Sequence, residues 1–411
     1  MSFDRRLTRT TEKCVSLSGN ALFPFRLSRL TLRPGAIRQS SGIDGGTAVV
    51  EPIYVPVLPM TRAAVTAYSH VDLHLRRRMA PLWTIVPRIG PERPRGRLMV
   101  PDPEPDEGEL ERWLTPRIDG LIEAMDGLDG WLDATHVERL VHGSAQSLWR
   151  LATRSGLRLV TGLERATEQQ RYAADLASLS GLGLGIRVPL DDPPDDRRQA
   201  QLAQLIDSLS LPPSRLDLLL DAGPITDAVE SGKRALAGLD LFGSLGAWRR
   251  VVLAAGAFPR ALHDLDAQPI RAVERYEQEL HRSLREARSE FPRTVVYGDY
   301  SVEHARRANI PAVRQPGPGW GLLRYTTSDG FLIARAPTRG PYHVERARSM
   351  ARWIVESDDF RGVGGIGVSE AERWLHACAY GSGSRNAGSA EKWIQIGHIQ
   401  HLSLVAQRLA S

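Results

Sequence analysis

Short apolar runs alternate with longer amphipathic stretches along the chain from residue 53 onwards. The runs have the length and the β-branched content of buried strands, and the stretches repeat their apolar residues at helical spacing. The runs predict eight strands, at 53–58, 82–86, 130–134, 157–162, 183–188, 216–221, 250–255 and 294–297. The stretches predict seven intervening helices, at 61–78, 109–125, 144–156, 169–181, 197–210, 225–239 and 270–288.

Strands joined by helices run parallel, because a crossover of that length returns the chain to the same end of the sheet. Eight such units over about 250 residues match a closed (β/α)8 barrel in number and size. An open doubly wound sheet is the alternative, but that fold carries a glycine-rich turn after its first strand. The sequence VLPMTRAAV at that turn has no glycine. The predicted fold class is therefore α/β, a TIM-barrel-like (β/α)8 fold.

Two segments fall outside the strand and helix repeat. Residues 90–109 predict a proline-rich loop after the second strand, and 301–411 predict a C-terminal extension. The extension begins with a β-hairpin that turns at Ser328-Asp329-Gly330, and helices follow near 341–357, 369–379 and 390–409. The first of these helices is a candidate eighth barrel helix. The predicted domains are a basic, flexible segment at 1–50, a barrel at 51–300, and an extension at 301–411 packing on it.

The charge distribution limits the classes of partner. The formal net charge is +5, and residues 1–50 account for all of it, with eight arginines or lysines against three acidic residues. The neutral remainder argues against a nucleic-acid footprint across the whole chain, so nucleic-acid binding is expected only through the basic segment. Two cysteines are too few for a disulfide framework or a cysteine zinc site. No run reaches the roughly 18 to 20 apolar residues of a membrane-spanning helix, so a cytoplasmic protein is expected.

The C-terminal ends of the barrel strands converge on one face, which is where TIM barrels carry their chemistry. The sequence places both signs of charge there, and we therefore expect a polar rim. The predicted rim residues are Thr84, Asp133, His136, Glu164, Arg165, Arg187, Asp221, Phe258, Asp299 and Tyr300.

Three rim residues have alternative interpretations. Arg187 lies near the end of an apolar strand, so it either forms a structural pair with an aspartate or binds an anion. Asp221 shares one strand face with Asp217, and it is either functional or the cap of a turn. Strand alternation puts Asp299 and Tyr300 on opposite faces. Asp299 is then a general base, a metal ligand or a turn residue.

Two further motifs are weaker. His398 and His401 have the i, i+3 spacing of helical metal ligands, but GHIQH has no carboxylate beside them, so no metal site is predicted. The stretch GSGSRNAGSAEKW at 381–393 resembles a phosphate-binding loop in composition, but it lacks the Walker spacing. It predicts a flexible loop.

The C-terminal third resembles a known family. VVYGDYSVEH, GLLRYTTSDGFLIARA and GSGSRNAGSAEKWIQIGHIQHLSLVAQRL are similar to the closing motifs of the beta family proteins, named after a bacteriophage beta protein. YVPVLPMTRAAVTAY and MAPLWTIVP resemble the family's opening, so the resemblance spans about residues 53–411. It implies a phage-related or anti-phage defence context, without a known reaction or cofactor. The family's pattern points to Asp133, Arg187, Asp221, Arg275, Glu277, Gly298, Asp299, Tyr300, Arg324, Tyr325, Thr326, Arg335, Trp393 and His401.

The sequence departs from the family's pattern at three positions. The family usually has a lysine near the position of Met60 and an acidic residue at the position of Thr84, and Gln400 stands where a histidine pair is typical. If those residues are catalytic in relatives, this chain has an altered site.

The leading hypothesis is that the C-terminal face of the barrel binds an anionic small molecule carrying a phosphate or a carboxylate. Its catalytic carboxylates are expected to be Asp299, Asp221 and Asp133. Its ligand-binding residues are expected to be Arg187, Tyr300, Arg324, Tyr325, Arg335 and His401. The alternatives are a non-catalytic component that docks a partner protein, and nucleic-acid binding through residues 1–50.

Overall fold

The computed structural model describes residues 51–87, 93–95, 98–100, 106–138, 145–260, 270–306, 319–365, 367–382 and 387–411. For 93–95, 98–100, 145 and 271 it describes the backbone alone. The predicted basic segment at 1–50 lies outside the described residues. Parts of the proline-rich loop and of the glycine-rich loop also lie outside them.

Thirteen strands occur in the described part of the chain. In chain order they are β1 (Tyr54–Pro59), β2 (Leu82–Thr84), β3 (Arg93–Arg95), β4 (Leu98–Val100), β5 (Trp131–Asp133), β6 (Arg158–Thr161), β7 (Leu184–Pro189), β8 (Leu216–Pro224), β9 (Arg250–Gly256), β10 (Ile270–Glu274), β11 (Val295–Asp299), β12 (Trp320–Thr326) and β13 (Gly330–Pro337).

Eight of these strands close a parallel barrel in the order β1-β11-β9-β8-β7-β6-β5-β2. The fold is therefore a TIM barrel, and all eight predicted barrel strands are present. β1 closes the ring by pairing with β11 on one side and β2 on the other. β3 and β4 form an antiparallel hairpin where the sequence predicts a loop.

Eleven helices occur in the described residues. They are α1 (Arg62–Ser69), α2 (Leu73–Arg76), α3 (Glu107–Met125), α4 (Ala145–Thr153), α5 (Thr167–Ser180), α6 (Asp196–Ser208), α7 (Ala228–Gly243), α8 (Tyr276–Ala287), α9 (His343–Val355), α10 (Glu370–Tyr380) and α11 (Ala390–Ala410). Within the described part of the chain, every helix is too short or too polar to cross a membrane.

The helix predicted at 270–288 is wrong over its first five residues. Residues 270–274 form β10, which pairs antiparallel with β13. Val273 lies opposite Phe331 in that ladder, and both pack in an apolar cluster with Phe258 and Val302. A partner strand distant in sequence thus overrides the local helical pattern, and α8 begins only at Tyr276.

The C-terminal extension contributes three helices and the strands β12 and β13, which form a three-stranded sheet with the earlier β10 in the order β10-β13-β12. The hairpin and all three helices are present as predicted, but the eighth barrel helix is α11 rather than α9. α11 packs along α1 and β1, and its Leu402, Val405 and Ala406 join the main core. α9 packs instead against β13 and α10.

Alternate residues of each strand point into the barrel. An apolar middle layer, which includes Val160, Leu219 and Val252, separates two polar ends. The bottom end contains Trp131 and Asp217, which hydrogen-bond to each other. The side chains at the top end are described below.

Candidate functional site

Arg187 joins three strands and the residue after a fourth at the C-terminal end of the barrel. Its Nη1 donates to Oδ2 of Asp133 at 2.7 Å, and its Nε donates to Oδ2 of Asp221 at 3.0 Å. Its Nη2 donates to Oδ2 of Asp221 at 2.6 Å and to the phenol oxygen of Tyr300 at 2.8 Å. Tyr300 donates in turn to Oδ1 of Asp221 at 2.6 Å. Residues from β5, β7 and β8, together with the residue after β11, therefore meet at one guanidinium.

A second arginine enters from the loop after β6. Arg165 Nη2 donates to Oδ1 of Asp133 at 2.8 Å, and its Nη1 donates to Oε1 of Glu138 at 2.9 Å. Asp133 is fully buried and lies between two guanidinium groups, one on each carboxylate oxygen. We call Asp133, Arg165, Arg187, Asp221 and Tyr300 the mouth network.

Local backbone features hold this network in place. β8 has a bulge between Asp221 and Gly223, and the Gly223 N–H donates to Oδ1 of Asp221 at 2.9 Å. Gly223 has a φ of 63°, which glycine adopts without strain. At the end of β9, a Cβ on Gly256 would lie 3.1 Å from the Tyr300 ring. Glycine at that position therefore leaves room for the phenol.

Asp133 and His136 at the mouth have displaced pKa values. Burial alone would raise the pKa of Asp133, but the positive charges of Arg165 and Arg187 outweigh it and hold that pKa well below its usual range. Burial lowers the pKa of His136 to about 4. The positive charges of Arg187 and Arg165 also lower it, whereas the negative charge of Asp133 raises it. Near neutral pH, Asp133 is therefore an anion and His136 is a neutral imidazole.

Four residues of the mouth network, all but the buried Asp133, line a cleft of about 1040 Å³. His136, Glu138, Arg165, Arg187 and Asp221 all line it. The cleft wall therefore contains three guanidinium groups, four carboxylates and a neutral imidazole at the face where TIM barrels bind their ligands.

The N-terminus of α5 also opens into this cleft. Its N-cap is Ala166, which lines the cleft and has no side chain that can accept from the first-turn N–H groups. By contrast, Asp195 caps α6 and Asp227 caps α7 with side-chain hydrogen bonds. Exposed first-turn N–H groups attract anions, and Arg165 lies directly before them.

Asp299 lies outside the mouth network. Its strand neighbour Tyr297 packs in the layer between barrel and helices, whereas Tyr300 packs with the barrel interior. The predicted opposite orientation of Asp299 and Tyr300 is therefore observed, and it is Asp299 that points outward. Oδ1 of Asp299 accepts from the Tyr54 phenol at 2.7 Å and from the Ser301 N–H at 2.9 Å.

The other oxygen of Asp299 completes a buried cluster behind β11. Oδ2 lies 2.9 Å from Nε2 of His401, accepts from the Tyr297 phenol at 3.0 Å and lies 3.5 Å from Nη2 of Arg275. Burial would raise the pKa of Asp299, but His401, Arg275 and Tyr54 lower it to about 2. Asp299 therefore has several buried partners and does not line the cleft at the mouth.

Comparisons with known proteins identify the family of this chain. The model of the family described as Beta protein matches residues 54–407. The chain belongs to the Beta protein family. The match covers both the barrel and the C-terminal extension of this Beta protein family member.

No curated protein matches this Beta protein family member. Among solved structures, it is similar to a mutant tryptophan synthase α-subunit from Pyrococcus furiosus. The two share 11% identity over 64% of this chain and 94% of that chain, with a TM-score of 0.37. The tryptophan synthase complex from the same organism shows 12% identity, the same two coverages and a TM-score of 0.36.

Other predicted ligand residues of this Beta protein family member lie in the extension. Arg324 on β12 places its guanidinium 5.5 Å from the centre of the Phe258 ring, and Arg335 on β13 lies 4.4 Å from the Trp320 ring. The Tyr325 phenol accepts from the Arg361 N–H at 3.0 Å. Nδ1 of His401 lies 2.9 Å from Oγ1 of Thr326. None of these four predicted residues lines the cleft.

The departures from the family pattern have defined places. Met60 is buried in the main core. The Thr84 hydroxyl donates to the carbonyl of Leu58 at 3.3 Å. Gln400 forms paired hydrogen bonds with the backbone of Thr326, each 2.8 Å long.

His136, Arg165 and Glu138, which the cleft wall brings together, were not among the predicted site residues. His136 and Arg165 were predicted as rim residues, because each follows the C-terminal end of a barrel strand. Glu138 was not predicted, because no sequence pattern marks it as the partner of Arg165.

Proposed function

We propose that this TIM barrel binds a small anionic ligand in the cleft at its C-terminal face. The observation that carries the proposal is the pair Arg165 and Arg187, which share the buried Asp133 and line the cleft beside the uncapped N-terminus of α5. A carboxylate or a phosphate monoester fits these donors, because guanidinium groups bind both in a bidentate manner.

The donor count favours Arg165 as the principal contact. A guanidinium has five N–H donors. In the described residues, Arg165 uses one on Asp133 and one on Glu138. Arg187 makes four hydrogen bonds within the mouth network. Arg165 therefore has more N–H groups left for a ligand, and Arg187 mainly orients the two aspartates.

The charge of the cleft limits the ligand to a small anion. Four carboxylates and three arginines line the cleft, and Arg165 pairs with Glu138 and Arg187 with Asp221, so the wall has no excess of positive charge. A polyanion would meet these carboxylates at close range and be repelled. A ligand with one anionic group and several hydroxyl groups matches the wall better.

His136 is the group best placed for proton transfer with such a ligand. It lines the cleft, and because burial lowers its pKa to about 4 it is neutral near pH 7 in the ligand-free protein. The charge of a bound anion would raise that pKa towards the range in which an imidazole accepts a proton effectively. In this proposal His136 takes the role that the sequence assigned to Asp299, whose carboxylate lies behind β11. Asp133 and Asp221 serve as partners of the arginines.

A second candidate is a non-catalytic component that docks a partner protein. The near-complete pairing of Arg187 with Asp133, Asp221 and Tyr300 favours it, because a neutralised network is suited to holding a surface rigid. The phage-related or defence context implied by the family resemblance fits this role. Nucleic-acid binding through residues 1–50 remains a prediction.

Binding of inorganic phosphate tests the leading proposal. Titration calorimetry at pH 7 is expected to show saturable binding, and Arg165→Lys is expected to weaken it roughly tenfold, because the ammonium loses the bidentate geometry. Arg346→Ala is the matched control. It removes an exposed arginine on α9, which packs against β13 and α10, and should leave binding unchanged.

Asp299→Asn separates the two interpretations of that residue. Because Asp299 lies in the buried cluster, we expect this variant to lose stability and to bind phosphate as the parent does. Equal phosphate binding by the parent and by Arg165→Lys would contradict the proposed site. Loss of phosphate binding in a folded Asp299→Asn variant would show that Asp299 takes part in ligand binding.

A further inference from the structure

The segment after β11 runs across the mouth of the barrel. It starts at Tyr300 beside β11, and Arg306 Nη2 reaches Oδ1 of Asp191, just beyond β7, at 2.9 Å. β9 and β8 stand between β11 and β7 in the barrel order. Ala305 packs against the apolar cluster of the barrel interior. We call residues 301–306 the strap.

The strap covers a small enclosed space next to the cleft. Glu303, His304 and Ala305 line it from above, and Thr84 and Pro59 are among the residues that line it from the barrel. Its volume is about 10 Å³, which is about the size of one water molecule. Arg187, His136 and Tyr300 border both this space and the cleft. Movement of the strap would therefore join the two and enlarge the mouth.

The two ends of the strap are held very differently. At the inner end, Ser301 is buried, its N–H donates to Asp299, and its Oγ forms a 2.9 Å hydrogen bond with Nδ1 of His398 on α11. At the outer end, Arg306 pairs with Asp191 through side chains that are 50% and 58% exposed. Exposed ion pairs contribute little stability. Among the contacts of the described residues, the outer end is therefore the more weakly held, and it is the end at which we expect opening.

We infer that the strap is a gate over the ligand cleft and that the ion pair between Arg306 and Asp191 is its latch. The inference rests on the proposed function for its purpose, since a gate needs a ligand to admit. The opening itself is a property of the protein alone. Ser301 and His398 form the fixed end, and the strap from His304 to Arg306 swings away from Thr84 and Pro59.

Thiol labelling beneath the strap measures this opening. Thr84→Cys places a thiol in the covered space, where the native side chain is 2% exposed. Iodoacetamide labelling of that peptide, followed by mass spectrometry, is expected to be slow. Adding Arg306→Gln or Asp191→Asn should raise the rate roughly two- to fivefold, which is the population shift expected from the loss of an exposed ion pair.

Two controls make the result specific to the latch. Arg288→Gln breaks an ion pair of similar exposure, with Asp240, and should leave labelling of the engineered thiol unchanged. The double exchange of Arg306→Asp with Asp191→Arg should restore slow labelling. Cys378 is buried with its pKa raised to about 11, so its peptide is expected to stay unlabelled in every folded variant.

Hydrogen exchange of the strap in Arg306→Gln, without the engineered cysteine, gives a second measurement if Thr84→Cys does not fold. Faster exchange confined to residues 304–306 supports the gate. Equal labelling and equal exchange with and without the latch would overturn it. Neither measurement needs a ligand, so a failure of phosphate binding would count against the proposed function and leave the gate standing.

Discussion

The two ends of the barrel contain the same kinds of polar contact, but their surroundings differ. On β8, Asp217 points inward at the bottom and Asp221 points inward at the mouth. Each aspartate accepts from an arginine and from an aromatic side chain: Arg249 and Trp131 at the bottom, Arg187 and Tyr300 at the mouth. Of the two ends, as far as the described residues go, it is the mouth whose network lines the cleft described above.

At the bottom, the aromatic ring is enclosed by cations. The guanidinium groups of Arg158 and Arg250 lie 5.4 and 5.8 Å from the centre of the Trp131 ring, and both arginines pair with Asp129. Asp217 is fully buried. These groups close the barrel. At the mouth, the corresponding space is left to a neutral histidine and a cleft, so the same residue types become available to a ligand.

The largest expected effect is at the bottom. Trp131→Ala removes a fully buried indole and its hydrogen bond to Asp217, and it should lower the free energy of unfolding by roughly 3 to 5 kcal/mol. Urea unfolding followed by circular dichroism measures this. A loss under about 1 kcal/mol, the size of a typical surface or conservative change, would mean that the bottom network does not hold the barrel closed.

A matched pair of variants on β8 compares the two ends directly. Asp217→Asn disrupts an aspartate with no exposure, whereas Asp221 is 11% exposed beside the cleft. Breaking a buried ion pair costs roughly 3 to 5 kcal/mol, and we expect Asp217→Asn to approach that range and Asp221→Asn to cost less. Equal losses of stability in the two variants would show that exposure to the cleft does not reduce the cost of disrupting the mouth network.

The pH dependence of the unfolding free energy reports on the mouth through His136. The folded-state pKa of His136 is about 4, below the unfolded value of about 6.5. The unfolded chain therefore binds a proton first as pH falls. Stability is lost between about pH 6.5 and 4, by about 1.4 kcal/mol per pH unit for one group.

His136→Gln should remove that contribution, so the slope of the unfolding free energy against pH should fall by the equivalent of one proton. His281 on α8, whose pKa burial also lowers to about 4, keeps its own contribution in the variant. Denaturant unfolding at several pH values between about 4 and 7 measures the slope. An unchanged slope in His136→Gln would show that this imidazole is protonated in the folded state.

Tyr300→Phe is expected to give the smallest effect. It removes the hydrogen bonds to Asp221 and from Arg187 but keeps the ring beside Gly256. A stability loss of roughly 1 to 2 kcal/mol follows from one buried hydroxyl. Thermal unfolding measures it, and a loss as large as that of Trp131→Ala would remove the distinction between the two ends.

The sequence predicted the barrel well because its signals are local. Apolar runs at regular spacing mark all eight strands, and strand alternation places Asp217 and Asp221 on one face. The missed elements depend on distant partners. β10 is a strand because β13 lies beside it, and α11 takes the eighth helix position because it packs along α1 and β1.

The candidate site was only partly predictable for the same reason. Alternation showed that Asp299 and Tyr300 point to opposite faces but not which face is the inside of the barrel. Arg187, Asp133 and Asp221 meet at the mouth as their strand ends suggested. His136 and Arg165 lie in loops, where no periodicity indicates which side chain enters the cleft.

We propose that the cleft beside Arg165 and His136 binds a small anion. Phosphate titration of histidine-labelled protein at pH 7, followed by NMR of the imidazole ring signals, tests it most directly. We expect a saturable shift of the His136 signals, with those of His281 unmoved. Equal shifts of both histidines, or no shift of His136, would contradict it.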